Sequence, residues 1–254
     1  MLPTFQHVSH GSVKLGGHYK LNLKTLPLSN YVRPSAMAYP PVCAWERPIT
    51  WGMLGNDSVG DCVIAWMMHH AMGMKAVAQA GTPLSFTTDQ ALQTYSAITG
   101  YVPGDPSTDN GTDPDTAATY WQQTGLYGDK ILGYVNLDIT NQDLVKYAHY
   151  TFGGIGISLE VPDYIMNVPS GGSWSQTPGA NTTIDGGHQI YAPGYGRQGW
   201  HIISWGTDYT FNLDFWSQYV QAAIAVVSTD WVKASGVSPS GLNLQALLAD
   251  LQAA

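Results

Sequence analysis

The chain has 254 residues, 44% hydrophobic and only 11% charged, with 28 glycines and 15 prolines; that is material for a sizeable core under a mostly neutral, polar surface. Ten Lys and Arg against 18 Asp and Glu give a net charge of −8 with no basic run, which argues against nucleic acid as a partner. No run approaches the roughly 18 apolar residues of a membrane span, and the N-terminus lacks the apolar core of a secretory signal, so the expectation is a soluble protein made without a signal peptide, cytoplasmic or virion-associated.

Residues 1–45 show little periodicity and end in the proline-rich stretch VRPSAMAYPPV, which reads as an extended arm or a plain linker. The domain proper is expected over 46–254, with a helical half at about 56–152 and a sheet half at about 153–235. From Cys62 to about Ala80 the chain is apolar on most sides, the pattern of a helix buried nearly all round. Asp61 or Ser58 is placed to cap it, which puts Cys62 in its first turn.

Thr87-Thr88-Asp89-Gln90 has capping-box spacing and opens a second helix that Gly100 ends. Asp113 before Pro114 reads as the cap and first position of a third helix ending near Gly125, and Asn141 to about Phe152 is a fourth. Asp105, Asp109 and Asp113 lie in the loop before the third helix. Their spacing of four misses the calcium-loop pattern, so a solvated, turn-rich loop is expected. Runs at 131–137, 154–159, 188–196, 200–206 and 222–228 then look like strands separated by glycine. A short helix at 242–251 closes the chain. Helices first and antiparallel strands later point to an α+β fold.

Cys43 and Cys62 are the only cysteines, too few for a disulfide framework or an all-cysteine zinc site. His69 and His70, adjacent on a helix, point about 100° apart and cannot chelate as an i, i+4 pair does. They read as structural histidines, and no metal or organic cofactor is expected. A cysteine at a helix N-terminus sits in the positive end of the dipole, which favours thiolate. Its best base is His188 in DGGHQIYAPGYG, where two glycines permit close backbone approach and a strand fixes the ring.

A cysteine followed roughly 130–150 residues later by its histidine is the spacing of papain-like cysteine peptidases, and the stretch GHQIYAPGYGRQGWHIISWGT resembles their histidine strand, GYG turn and NSWG strand. The resemblance covers about Asn56 to Thr207. It implies a papain-like domain, with a central helix carrying the cysteine packed on an antiparallel sheet carrying the histidine. It also implies Cys62 as nucleophile, His188 as base and Asn56, six residues before Cys62, in place of the oxyanion glutamine. Trp205 would shield the histidine, and Asn110 and Gly111 would line the cleft. Ile203 stands where the family has the asparagine that orients the histidine, so Ser204, Asp208 or a backbone carbonyl must serve, with the Asp208 carboxylate chemically favoured.

The stretches GNDSVGDC and TYSAITGY are also similar to those of papain-like proteins from bacteria and their phages. Two functions follow from the resemblance. One is a thiol hydrolase cleaving peptide or amide bonds through a Cys-His dyad. The other is a papain-like scaffold, catalytically compromised by Ile203, that binds other subunits of a virion or similar assembly through the N-terminal arm.

Overall fold

The computed structural model describes residues 1–8, 10–19, 37–45, 47–78, 84–176, 178–233 and 235–243. The chain opens with a hairpin of β1 (Thr4–His7) and β2 (Gly11–Lys14), and a two-residue strand β3 (Cys43–Ala44) follows. The helical half holds α1 (Cys62–Ala78), α2 (Thr88–Thr99) and α3 (Pro114–Gln123). Next come β4 (Ile131–Leu137), α4 (Gln142–Phe152) and β5 (Ile155–Pro162). The chain then runs through β6 (Ile184–Tyr195), β7 (Gly199–Ser204), β8 (Thr207–Asn212), α5 (Leu213–Tyr219) and β9 (Val220–Ser228).

Helices α2 to α5 begin where polar side chains meet first-turn N–H groups that have no partner inside the helix. The Thr87 hydroxyl accepts from the Gln90 N–H at 3.2 Å and the Gln90 side chain accepts from the Thr87 N–H at 2.9 Å, a reciprocal box. The Asp113 and Asn141 side chains cap α3 and α4 by accepting from the Thr116 and Leu144 N–H groups, without the reciprocal bond. Gly100 and Gly153 end α2 and α4 at φ of 78° and 87°, a conformation that glycine adopts without strain. The helix expected over 242–251 falls from residue 244 onward outside the described residues.

Seven strands form one antiparallel sheet in the order β4-β9-β5-β6-β7-β8, with β3 added beside β6. The sheet separates two cores. On one face lies α1, with Val63, Trp66 and Met67 packed among Tyr191, Ile203 and Val226. On the other lie α4 and α5, with Leu144, Phe152, Phe215 and Trp216 against Ile157, Ile190 and Ile202. Because α1 is covered by the sheet on one side and by α2 and α3 on others, nearly every one of its residues is buried, and it has no polar stripe. At Gly73 it approaches β6 so closely that a Cβ would stand 2.5 Å from the Tyr191 hydroxyl oxygen. Among the described residues no helix is long and apolar enough to cross a membrane.

Candidate active site

Cys62 is the first residue of α1, and β6 brings His188 to the same cleft. The backbone N–H groups of Gln189, Gly16 and Val63 all point at the Cys62 sulfur, so the residue after His188 touches the thiol. His188 Nε2 lies 2.8 Å from the Ser204 hydroxyl. Its other ring nitrogen, Nδ1, has no hydrogen-bond partner. The Trp205 ring stacks on the imidazole at 4.9 Å with the planes 22° apart.

That stacking depends on an unusual turn. Ser204 pairs with Thr207, so Trp205 and Gly206 alone connect β7 to β8, at φ of 49° and 73°. Two-residue hairpin loops with positive φ suit the twist of the strands, but a tryptophan in the left-handed region costs about 1–2 kcal/mol. Packing of its ring against His188, against His7 at 4.6 Å and against Trp174 at 5.7 Å holds it there. Strain at such a position is what a site tolerates when the side chain has a task.

Residues 13–18 run through the cleft itself. Leu15 is buried against Gly186. The Gly17 N–H donates to the Gly187 carbonyl at 3.0 Å, and the Thr112 N–H donates to the Gly16 carbonyl at 3.0 Å. The segment is squeezed on both sides. A Cβ on Gly16 would stand 1.9 Å from the Gly60 carbonyl oxygen, and one on Gly111 would stand 2.0 Å from the Gly16 carbonyl oxygen. Asn110 contributes its carbonyl, 2.7 Å from His18 Nε2. Asn110 and Gly111 therefore flank the N-terminal segment at residues 16–18, and that segment covers Cys62.

This cover sets the electrostatics. The Cys62 thiol is fully buried, and burial pushes its pKa up to about 12, overriding the three N–H groups aimed at the sulfur. Burial, aided by His7, lowers the His188 pKa to about 3. The pair is therefore an uncharged thiol and a neutral imidazole. The thiolate expected from the helix dipole is not the form the enclosed site supports, because an ion without water costs more than a helix terminus returns.

Asp61, placed as a cap for α1, does not cap it. Both its carboxylate oxygens lack hydrogen-bond partners, and burial, with Asp109 nearby, raises its pKa well above the usual range. Asp109 also departs from the solvated loop expected of it. It is buried and forms a 2.8 Å ion pair with Lys14.

Asp208, the carboxylate favoured for orienting His188, is exposed on β8 opposite Ile203, and the ring bond goes to Ser204 instead. Ile203 points into the core around α1. Asn56 is buried, and its side-chain amide donates to the carbonyls of Lys14 at 2.9 Å and Val59 at 3.2 Å. Sequence reasoning did not single out Gly16, Gly17 or Lys14, and it read Asp109 as part of a solvated loop. The pair of glycines in KLGGH was the available signal, since two adjacent residues without side chains mark close backbone approach. Among the described residues no group of three or more His, Cys, Asp or Glu is placed to hold a metal ion.

No family model and no curated protein matches the chain. Solved structures do. Xylellain, a cysteine protease from Xylella fastidiosa, superposes with a TM-score of 0.68 at 12% identity, covering 90% of this chain and 100% of that one. Digestive procathepsin L2 from Tenebrio molitor larval midgut gives 0.59 at 17% identity over 82% of this chain and 75% of its own. Procathepsin B from Trypanosoma congolense gives 0.59 at 11% identity, over 84% and 86%. At such identities the likeness is one of fold.

Proposed function

This chain has the papain-like fold, and we propose that it is a latent thiol hydrolase cleaving peptide or amide bonds through Cys62 and His188. The observation that carries the reading is the clamped His188 ring. Ser204 and Trp205 hold it on β6, and the very next residue, Gln189, turns its backbone N–H toward the Cys62 sulfur. Nδ1 is left without a partner, as a base awaiting the thiol proton requires.

In the reaction, Cys62 gives its proton to His188 and attacks the carbonyl carbon. The C–N bond breaks as the imidazolium protonates the departing amine. Water, deprotonated by His188, then opens the thioester and restores the thiol. The reading assigns Asn56 and the Cys62 N–H to the negative charge that develops on the carbonyl oxygen. Ser204 serves as a positioning residue. With Nδ1 as the base, Nε2 keeps its proton in both the neutral and the charged ring, and the Ser204 hydroxyl oxygen accepts from it in each.

Latency follows from the occupied cleft. A substrate must displace residues 13–18 before it meets the sulfur, and admitting water lowers the thiol pKa and raises that of the imidazole together. The test is hydrolysis of a peptide mixture by full-length protein carrying Gly16→Phe, which expels the segment, compared with the same protein also carrying Cys62→Ala. Cleavage lost with the thiol supports the reading. Equal cleavage by both refutes it.

A further inference from the structure

Asp109 sits at the cleft beside Gly60 and is built as a fixed acceptor. Its Oδ1 takes the Gly60 N–H at 3.0 Å and the Tyr95 hydroxyl at 2.8 Å. The Tyr95 oxygen in turn takes the Gly111 N–H at 2.8 Å. None of these three partners belongs to the N-terminal segment. They hold the carboxylate in place and leave Oδ2 for the Lys14 ammonium, 2.8 Å away and largely buried with it.

Lys14 is also the residue whose carbonyl accepts from the Asn56 amide at 2.9 Å, while its N–H donates to the Asn56 carbonyl at 3.0 Å. One residue of the segment thus does two things at once. Its carbonyl lies on the side-chain donor that the hydrolase reading assigns to the oxyanion, and its cation fills the Asp109 acceptor. If the segment leaves, Lys14 goes with it, and Asp109 keeps Gly60 and Tyr95 but loses the one ion-pair partner it has among the described residues. A buried carboxylate in that condition is strongly favoured to take another cation.

We propose that Asp109 is the floor of a subsite for a lysine side chain, recognising substrates whose lysine supplies the carbonyl to be attacked, and that Lys14 occupies this subsite in the closed protein. The assignment deepens the hydrolase reading and rests on it for its meaning as a substrate subsite. The recognised chemistry is a long primary ammonium. Norleucine, of nearly the same length without the charge, is the proper contrast.

The experiment uses full-length Gly16→Phe protein and two fluorescent peptides, acetyl-Val-Lys-Leu-Gly-Gly-His amide and its norleucine counterpart, with binding read by anisotropy. A Lys14→Met host serves if Gly16→Phe does not fold. The lysine peptide is expected to bind about 30-fold more tightly, the scale of one buried charge-assisted hydrogen bond. Asp109→Asn, which keeps an oxygen for Gly60 and Tyr95, is expected to bring the ratio near one by weakening only the lysine peptide. Equal binding of the two peptides, or a preference that survives Asp109→Asn, overturns the proposal. A host that discriminates lysine yet cleaves nothing upholds the subsite and removes the hydrolase reading. Cleavage without discrimination does the reverse.

Discussion

Gly16 and Gly60 meet backbone to backbone, so closely that a methyl group on Gly16 would stand 1.9 Å from the Gly60 carbonyl oxygen. Any side chain at position 16 therefore unseats the segment that covers Cys62. In the native protein, iodoacetamide is expected to label Cys62 slowly at pH 7, because the thiol is enclosed and its pKa lies at about 12. Gly16→Phe should speed labelling at least 100-fold, read by peptide mass. Equal rates in the two proteins would mean that the segment does not guard the thiol.

An asparagine at position 203 should harm the protein. The Ile203 side chain lies in the α1 core, away from the His188 bond, so an amide there is buried without partners and costs about 1–3 kcal/mol. Ile203→Asn is expected to lower the urea midpoint without raising activity. Ser204→Ala should lower the midpoint as well, since the buried His188 Nε2 loses its partner. In the Gly16→Phe protein it should add a roughly tenfold fall in kcat at constant KM and an altered pH profile, since the ring loses its holder.

At Gly73 the usual rule for helices is reversed. Glycine to alanine in mid-helix normally stabilises by about 1 kcal/mol. Here the new methyl would stand 2.5 Å from the Tyr191 hydroxyl oxygen, which donates to the Gly153 carbonyl at 3.0 Å. Overpacking of about 1–3 kcal/mol and a disturbed hydrogen bond outweigh the gain. Gly73→Ala is expected to be destabilised by about 1–2 kcal/mol in equilibrium unfolding, and a stabilised variant would show that Tyr191 yields freely.

Five buried histidines make the fold sensitive to acid. Burial lowers His7 and His69 to about 4 and His70, His149 and His188 to about 3. In the unfolded chain each titrates near 6.5, so below that pH the unfolded state binds more protons and stability falls as pH drops toward 4. Asp61 and Asp129 oppose this. Burial raises both, Asp129 to about 7 with help from Asp230, so their contribution declines as pH rises from about 4. With His10 lowered and Asp185 raised as well, six histidines stand against three carboxylates, so the urea midpoint should fall between pH 7 and pH 5, and His70→Phe should flatten the fall. An unchanged slope in that variant would assign the pH dependence elsewhere.

The elements that caps and periodicity define were readable in the chain. Thr87, Asp113 and Asn141 mark their helix starts within the sequence, and the apolar run after Cys62 marks the buried helix. The hairpin at residues 4–14 was not readable, because its stability comes from seating on the cleft and not from its own pattern. Strand β8 and helix α5 were missed for a related reason: Thr207 to Tyr219 switches from strand to helix at Asn212, whose capping role with Phe215 is one short local signal. At the site, Cys62, His188 and Asn56 were singled out by spacing. The choice between Ser204 and Asp208 was beyond spacing, since it depends on the two-residue turn that carries Trp205 at positive φ. Asp109 was hidden because its partner lies 95 residues away.

The contact between His7 and Trp205 offers a built-in optical reporter. The Trp205 indole is buried with its Nε1–H unpartnered, and its neighbours include a histidine carried by the very hairpin that covers the cleft. When the hairpin lifts, that indole gains water and loses the His7 ring, so its emission should move to longer wavelength and change in intensity. Opening of the unlabelled protein can then be followed in real time, with Trp205→Phe as the blank that assigns the signal among the nine tryptophans.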